Sequence, residues 1–89
     1  MRRIFWTNQF KRDYKRMQKQ GKDVNALKDV INILIRGEKL PLCCRDHSLQ
    51  GRWKSHRDCH IKPDWILIYR IEADAVFLER TGSHSDLFS

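Results

Sequence analysis

The spacing of apolar residues changes once along this chain, and that change limits the elements it can form. Up to residue 37 the apolar residues recur at helical spacing, whereas beyond residue 52 they follow a spacing of two. Phe10, Tyr14 and Met17, for example, fall at i, i+4 and i+7, on one face of a helix. This order of spacings predicts a mainly helical first half and strands in the second half, which favours an α+β fold.

Residues with known preferences mark the ends of two helices. Thr7 or Asn8 can cap the start of the first helix, and Gly21 ends it. Asp23 can cap the second helix, which ends at Gly37. The second helix carries a wide apolar stripe that predicts a buried face, formed by Val24, Leu27, Val30, Ile31, Leu34 and Ile35.

Short strands are predicted on both sides of this helix pair. Residues 4–6 form a first strand, and residues 38–51 form a long connector with no period. A second strand is predicted from Arg52, with Lys54, His56, Asp58 and His60 on one face. After a turn at residue 63, strands follow at residues 65–71 and 75–81, joined by a hairpin turn at 72–74. Residues 83–88 form a tail or a single helical turn.

The predicted order is therefore β-α-α-β-β-β in one domain, residues 1–89. Two helices pack on one face of a small antiparallel sheet. The other face of the sheet has no predicted cover, so we expect it to be open and concave.

The charge of the chain points to a polyanionic partner. The net charge is +7, and residues 1–20 alone carry seven Lys or Arg against one acid, a net of +6. Such a concentration of positive charge favours contact with nucleic acid or the ribosome. The alternative is a solvated helix face that only aids solubility. The basic residues of the first helix predicted to contact RNA are Lys11, Arg12, Lys15, Arg16 and Lys19.

The composition makes several other classes of protein unexpected. The three cysteines, Cys43, Cys44 and Cys59, lack the spacing of a zinc site, so we expect reduced thiols and no metal. The apolar runs are far shorter than the ~20 residues of a membrane span. The start of the chain lacks the apolar core of a signal peptide. We therefore expect a cytoplasmic protein that does not enter a membrane.

A cluster of ionisable residues in the second half of the chain suggests catalysis. His47, His60 and His84 can meet a carboxylate, Asp64, and a guanidinium, Arg80, if the intervening segments are short strands. Imidazoles titrate near neutral pH and suit proton transfer, while a fixed arginine suits a phosphate. A tight turn through residues 62–63 would bring His60 and Asp64 together. The cluster predicts cleavage of a phosphodiester.

Each member of this cluster also has an ordinary structural interpretation. Asp64 can merely cap the turn at Pro63, and Arg80 can form a weak surface ion pair with Glu79. His84 lies near the end of the chain, where side chains are usually exposed. Phe88 can anchor the tail or stack on a nucleobase.

The sequence resembles the YafQ-type branch of the RelE/ParE superfamily, the toxins of bacterial type II toxin–antitoxin pairs. The resemblance covers nearly the whole chain. Three segments carry it together: Asp46-His47-x-Leu49-x-Gly51-x-Trp53-Lys54, Arg57-Asp58-x-His60-x-x-Pro63-Asp64-Trp65 and Glu79-Arg80-Thr81-Gly82-Ser83-His84, with Leu87-Phe88 at the end.

This resemblance implies a microbial-ribonuclease-like domain that cuts mRNA in the decoding site of the 70S ribosome, in contact with rRNA. It implies a cognate antitoxin that wraps the basic surface, and it allows a toxin–antitoxin complex on operator DNA. No metal or other cofactor is implied. The implied catalytic positions are His47, His60, Asp64, Arg80 and His84, and the implied substrate contacts are Trp65, Phe88, Lys54 and Arg57. His56 stands where an aromatic residue is expected and receives no catalytic role.

The expected chemistry is attack of a ribose 2′-hydroxyl on the adjacent phosphate. His84 would be the acid, with His60 or His47 as the base, although the reverse assignment is also open. Asp64 would orient His60, and Arg80 would hold the phosphate. Two alternatives remain: a ParE-like toxin that binds gyrase, and a non-catalytic RNA-binding module. Three histidines in one cluster favour the nuclease over both.

Overall fold

The computed structural model describes residues 1–88, which form a five-stranded sheet with three helices. The strands are β1 (Arg3–Trp6), β2 (His47–Ser48), β3 (Arg57–Lys62), β4 (Trp65–Glu72) and β5 (Ala75–Gly82). The helices are α1 (Asn8–Lys19), α2 (Val24–Arg36) and α3 (His84–Phe88). Short 3₁₀ turns occupy Leu42–Cys44 and Gly51–Trp53.

The helix ends lie where the capping residues predicted them. The Thr7 side chain accepts a hydrogen bond from the Phe10 N–H (3.0 Å), and the Asp23 side chain accepts one from the Asn25 N–H (3.1 Å). Gly37 ends α2 in the left-handed conformation, with φ +72°. The predicted caps at Thr7, Asp23 and Gly37 are confirmed.

The order of strands in the sheet is β1-β5-β4-β3-β2. Strands β3 to β5 pair antiparallel, as predicted, but β1 pairs parallel with β5. The short strand β2 also pairs antiparallel with β3 and was not predicted, because residues 38–51 were expected to form a connector. The α+β class is confirmed, and the sheet is mixed rather than wholly antiparallel. The difference arises because hairpins link β3, β4 and β5. These hairpins place β5 beside β1, and β5 then runs in the same direction as β1.

The main core lies between the helices and one face of the sheet. Its apolar side chains come from α1, α2 and strands β3 to β5 and include Phe10, Leu27, Ile31, Tyr69 and Leu78. The burial of both helix stripes follows the predicted spacing. No helix within residues 1–88 is long and apolar enough to cross a membrane.

The opposite face of the sheet is less open than predicted. Ile66 and Ile68 point to this face and are fully buried, because Leu49, Trp53, Leu87 and Phe88 cover them. Trp53 reaches this position from a 3₁₀ turn, so the prediction of a strand from Arg52 was wrong. Gly51 (φ +68°) and Ser55 (φ +75°) adopt left-handed conformations that cannot continue a strand, and β3 begins only at Arg57. We call the side of the sheet that carries Ile66 and Ile68 the outer face.

Candidate active site

Two rows of cross-strand neighbours assemble the candidate site on the outer face. In the first row His47 on β2 lies opposite Asp58 on β3, which lies opposite Ile68 on β4. Ile68 in turn lies opposite Arg80 on β5. Directly opposed side chains share a face of the sheet. The register therefore aligns an imidazole, a carboxylate and a guanidinium across four strands.

The second row lies next to the first and brings in the other two histidines. His60 lies opposite Ile66, and Ile66 lies opposite Gly82. Strand β5 ends at Gly82, Ser83 caps the start of helix α3, and the helix carries His84 at its first position. Because Asp58 and His60 are two residues apart in β3, both side chains point to the outer face. His47, His60, Arg80 and His84 are therefore gathered around this face, as the sequence predicted.

Asp58 is the carboxylate at the centre of the cluster, and the sequence reasoning did not select it. Its side chain is only 5% exposed, and its Oδ1 lies 3.0 Å from Nδ1 of His47. No residue in the described part of the chain donates a directed hydrogen bond to this Oδ1. Burial raises the pKa of Asp58, while the nearby His47, His60 and His84 lower it. The two-residue spacing between Asp58 and His60 was the signal that could have revealed it.

The hydrogen bonds of two histidines define which ring nitrogen carries the proton. Nδ1 of His47 lies 2.8 Å from the Arg45 carbonyl oxygen, and Nδ1 of His60 lies 3.1 Å from that of Pro63. A carbonyl oxygen can only accept, so Nδ1 is the donor in both rings. In the neutral form of each ring Nε2 is then unprotonated. Either Nε2 can therefore take up a proton.

Asp64 does not pair with His60, contrary to our prediction. Its Oδ1 accepts a hydrogen bond from the backbone N–H of His84 at 3.1 Å, while the His60 ring is bonded to Pro63. The Pro63 turn directs the carboxylate toward the start of α3. Asp64 therefore holds the backbone that carries His84, and it does so from the turn between β3 and β4.

Helix α3 is short, and several further contacts hold it in place. The Ser83 N–H donates to Asp86 Oδ2 (3.0 Å), and the Asp86 N–H donates to Ser83 Oγ (3.1 Å), which forms a reciprocal cap. The bond from the Ser83 backbone is the main reason that the pKa of Asp86 is lowered. Arg16 of α1 also contacts Asp86 at 3.5 Å. A Cβ atom on Gly82 would lie 2.9 Å from this guanidinium and 3.0 Å from Asp86 Oδ2.

Arg80 lies on the outer face and is bound to α1. Its Nε donates to Asp13 Oδ2 at 2.7 Å, and its Nη2 lies 3.3 Å from Asp13 Oδ1. The side chain remains 21% exposed and borders a shallow depression with Arg52 and Trp53. Glu79 is not its partner, because the Glu79 carboxylate contacts His56 at 3.1 Å.

The four predicted substrate contacts fall in different places. Phe88 is half-buried against the apolar cluster of the outer face, with its ring centroid 5.0 Å from that of His84. Trp65 is 2% exposed in the helix-side core and donates to Thr81 Oγ1, so we correct its assignment as a substrate contact. Arg57 is also corrected, because it points to the helix side and binds Asp46 at 3.0 Å. Lys54 is exposed at the end of a 3₁₀ turn.

Four of the five basic residues assigned to RNA on α1 are exposed. Lys11, Lys15 and Lys19 are solvent-facing, and Arg12 is exposed with one bond to Gln9. Arg16 is different, because its guanidinium contacts Asp13 at 3.1 Å as well as Asp86. We correct its assignment as an RNA contact, because these ion pairs occupy it within the protein.

The other reactive side chains fit no metal site or thiol chemistry. Residues 1–88 contain no group of three or more His, Cys, Asp or Glu arranged to hold a metal ion. Cys44 and Cys59 are buried, and burial raises the pKa of both thiols, which favours the unreactive protonated form. Cys43 is exposed.

Comparisons with known proteins place the chain in one group of toxins. Residues 2–89 match the family model described as "Bacterial toxin of type II toxin-antitoxin system, YafQ". The mRNA interferase toxin YafQ of Escherichia coli K12 is 46% identical over 88 residues, covering 98% of this chain and 96% of the relative.

Solved structures agree with the sequence comparison. The toxin in a crystal structure of the E. coli DinJ–YafQ complex is 44% identical and superposes with a TM-score of 0.94, covering 100% of each chain. A copper-bound mutant toxin from Helicobacter pylori is 40% identical, with a TM-score of 0.94, covering 99% of this chain and 100% of that one.

Proposed function

The chain belongs to the YafQ family of bacterial type II toxin–antitoxin toxins, and on this basis we propose that it is an mRNA endoribonuclease that acts on the ribosome. Its activity would be neutralised by a cognate antitoxin, as the complex of the E. coli relative suggests. The observation that carries the proposal is the convergence of His47, His60, Arg80 and His84 on one face around the buried Asp58.

The base in this reaction is His60 or His47. Each ring donates through Nδ1 to a carbonyl oxygen and leaves Nε2 free to accept the proton of a ribose 2′-hydroxyl. A base that keeps its proton on Nδ1 becomes a cation when it takes the second proton. The Asp58 carboxylate, 3.0 Å from His47, stabilises that cation.

The remaining steps use Arg80 and His84. The 2′-oxygen forms a bond to phosphorus, the bond from phosphorus to the 5′-oxygen breaks, and His84 donates a proton to the departing oxygen. Arg80 binds the phosphate and stabilises the charge that develops on it. The products are a 2′,3′-cyclic phosphate and a 5′-hydroxyl. Each well-placed acid or base contributes roughly 10²–10⁴-fold.

Asp64 and Phe88 support His84 rather than the base. Asp64 fixes the start of α3 through the His84 N–H, and the Phe88 ring packs beside the imidazole. Phe88 is half-buried, so part of its ring stays accessible for stacking on a nucleobase. These proposed steps use only the side chains of the protein.

Exposure and charge support a site completed by the ribosome. His47 and His84 are both exposed, so the protein alone encloses little of a substrate. The cationic face of α1, with Lys11, Lys15 and Lys19, suits a polyphosphate surface such as rRNA. Operator DNA remains a further partner for the complex with antitoxin.

The test is the chemistry of the cut ends. Purified protein is incubated with mRNA on bacterial ribosomes, and the fragments are examined for 2′,3′-cyclic phosphate and 5′-hydroxyl ends. Cyclic phosphate ends would support the mechanism, and 5′-phosphate ends would refute it. His56→Gln is the matched histidine control, because His56 pairs with Glu79 and has no role in the reaction. Absence of any cleavage would favour gyrase binding or simple RNA binding.

A further inference from the structure

Helix α1 carries a buried carboxylate, Asp13, that takes no part in the proposed proton transfers. Asp13 is 0% exposed and is the single acidic residue among the first twenty. Its two oxygens accept hydrogen bonds from two arginines and from the sheet backbone. A buried charge is costly unless it is paired, so the Asp13 carboxylate needs hydrogen-bond donors on several sides. The donors are Arg80, Arg16, Gln9 and the Thr81 N–H.

The position of Asp13 follows from the end of β1. Strand β1 pairs with β5 only as far as Trp6 opposite Leu78, so the rest of this edge of β5 has no neighbouring strand. Helix α1 crosses here instead, and side chains of the helix and of its N-cap form hydrogen bonds with the backbone of this edge. The Thr7 hydroxyl donates to the Glu79 carbonyl oxygen (3.0 Å), and Asp13 Oδ2 accepts from the Thr81 N–H (3.1 Å). Asp13 is therefore fixed against the strand that carries Arg80.

The contact between Asp13 and Arg80 orients the guanidinium. Both oxygens of Asp13 bind one side of the planar group, Nε at 2.7 Å and Nη2 at 3.3 Å. Two parallel bonds fix a plane as well as a position. Within residues 1–88 no hydrogen bond occupies Nη1, and the side chain is 21% exposed toward the outer face. The Nη1 side of the Arg80 guanidinium is thus available to bind a ligand.

We propose that Asp13 is the positioning residue for Arg80 and sets the orientation in which its guanidinium binds the phosphate under attack. This inference rests on the proposed function, because it assigns Asp13 a part in the same reaction. Asp13 touches no substrate, and it acts through Arg80. Phosphate binding in the transition state requires an arginine that does not reorganise during the reaction.

A double-mutant cycle separates positioning from a purely structural role. Asn at position 13 can still accept the Thr81 N–H but cannot offer two oxygens to Arg80. We expect Asp13→Asn to lower kcat by about 10- to 100-fold with little change in KM, less than the 10²–10³-fold cost of removing such a donor. In an Arg80→Ala background the same substitution should change kcat by less than about twofold. Equal loss in both backgrounds would overturn the proposal.

A chemical rescue gives a second measurement that does not depend on the folding of Asp13→Asn. Added guanidinium can occupy the two Asp13 oxygens in the Arg80→Ala protein, at concentrations well below those that unfold it. We expect it to restore part of kcat, and methylammonium, which has the same charge but no fork, to restore less. Absent rescue by guanidinium, or equal rescue by both ions, would contradict the assignment.

The controls separate this proposal from the function it rests on. Glu38→Gln breaks an exposed ion pair with Arg36 (3.1 Å) and should leave kcat unchanged. Failure of the wild-type protein to cut mRNA on ribosomes would overturn the proposed function and this inference together. Normal wild-type cleavage with an unchanged kcat in Asp13→Asn would overturn this inference alone.

Discussion

Nδ1 of His47 lies 3.0 Å from Oδ1 of Asp58, across the two-residue pairing of β2 with β3. The carboxylate is buried and the imidazole is half-exposed, so the pair joins a fixed charge to a group that solvent and substrate can reach. Nδ1 also lies 2.8 Å from the Arg45 carbonyl oxygen. Asp58 thus acts on His47 through charge more than through a directed hydrogen bond.

Asp58→Asn should reduce cleavage and raise stability at neutral pH. Loss of the negative charge removes support for the histidine cation, and we expect kcat to fall at least ~10-fold. Because burial raises the pKa of Asp58, the folded protein binds its proton more tightly than the unfolded chain. The stability due to the protonated form is fully present in acid and is lost as pH rises through the raised pKa.

Thermal unfolding as a function of pH checks the second part of this prediction. Asn resembles the protonated carboxyl, so the mutant should gain Tm above the pKa of Asp58 and match the wild type below the ordinary value of 3.8. For a domain of this size 1 kcal/mol corresponds to about 4–8 °C. An Asp58→Asn mutant that is less stable at neutral pH and equally active would contradict both parts of the prediction. It would show that the buried carboxylate stabilises the fold and takes no part in cleavage.

Asp64 is predicted to act on the backbone of His84 rather than on the His60 ring. Asp64→Asn keeps an acceptor for the His84 N–H, so kcat should stay within about fivefold, with an unchanged pH profile. Asp64→Ala removes the acceptor and should cost at least ~10-fold more than Asp64→Asn. The pH dependence of single-turnover cleavage measures both. A shift of the pH profile in Asp64→Asn would contradict this prediction and would support the pairing of Asp64 with His60 that the sequence suggested.

Gly82 is predicted to be essential to the placement of α3. In Gly82→Ala the new methyl group would lie 2.9 Å from the end of the flexible Arg16 side chain, which can move away, and 3.1 Å from Asp86 Cβ. Because Asp86 Cβ is attached directly to the backbone of α3, we expect that contact to shift the helix by a few tenths of an ångström. Overpacking of this kind costs about 1–3 kcal/mol. We expect kcat to fall about 10-fold, because His84 is displaced.

Gly21→Ala is the matched control for this experiment. Nothing lies within 4 Å of a Cβ at Gly21, but its φ of +76° makes the substitution strained. We expect a loss of about 1 kcal/mol with unchanged kcat. Comparable losses of activity in both alanine variants would mean that stability, not the position of α3, controls cleavage.

The cationic face of α1 is predicted to bind the ribosome. Replacing Lys11, Lys15 and Lys19 with Gln should weaken ribosome association and flatten its salt dependence, by roughly 0.7–0.9 in slope for each phosphate that the mutant no longer neutralises. The bound mutant should retain its rate of cleavage, since lysines that bind phosphates position the protein without transferring protons. Replacement of Lys22, Lys28 and Lys39 removes the same charge elsewhere and is the control. Equal effects of the two triple mutants would show that only net charge matters.

Local rules predicted much of the fold because they depend on neighbours in sequence. Thr7, Asp23 and Gly37 mark helix ends through contacts within a few residues, and the alternation in β3 placed His60 on the outer face. The parallel pairing of β1 and the 3₁₀ turn before β3 depend on how distant segments meet, and the sequence did not reveal them.

The sequence selected candidate site residues but did not predict their contacts. Residue types pointed to His47, His60, Arg80 and His84, and their catalytic roles stay a prediction, whereas the partner of each residue depends on contacts over long separations. Asp13 binds Arg80 from 67 positions away, and Asp64 binds the His84 N–H from 20 positions away. Asp13 lay within a basic helix, where a single acid gave no signal of its role.

The most direct test of the central claim is primer extension on a defined mRNA, with and without programmed ribosomes, comparing the wild type, His84→Ala and His56→Gln. The account predicts cuts by the wild type and His56→Gln only when ribosomes are present, and none by His84→Ala. Equal cutting by His84→Ala, or the absence of cuts by the wild type under every condition, would contradict it.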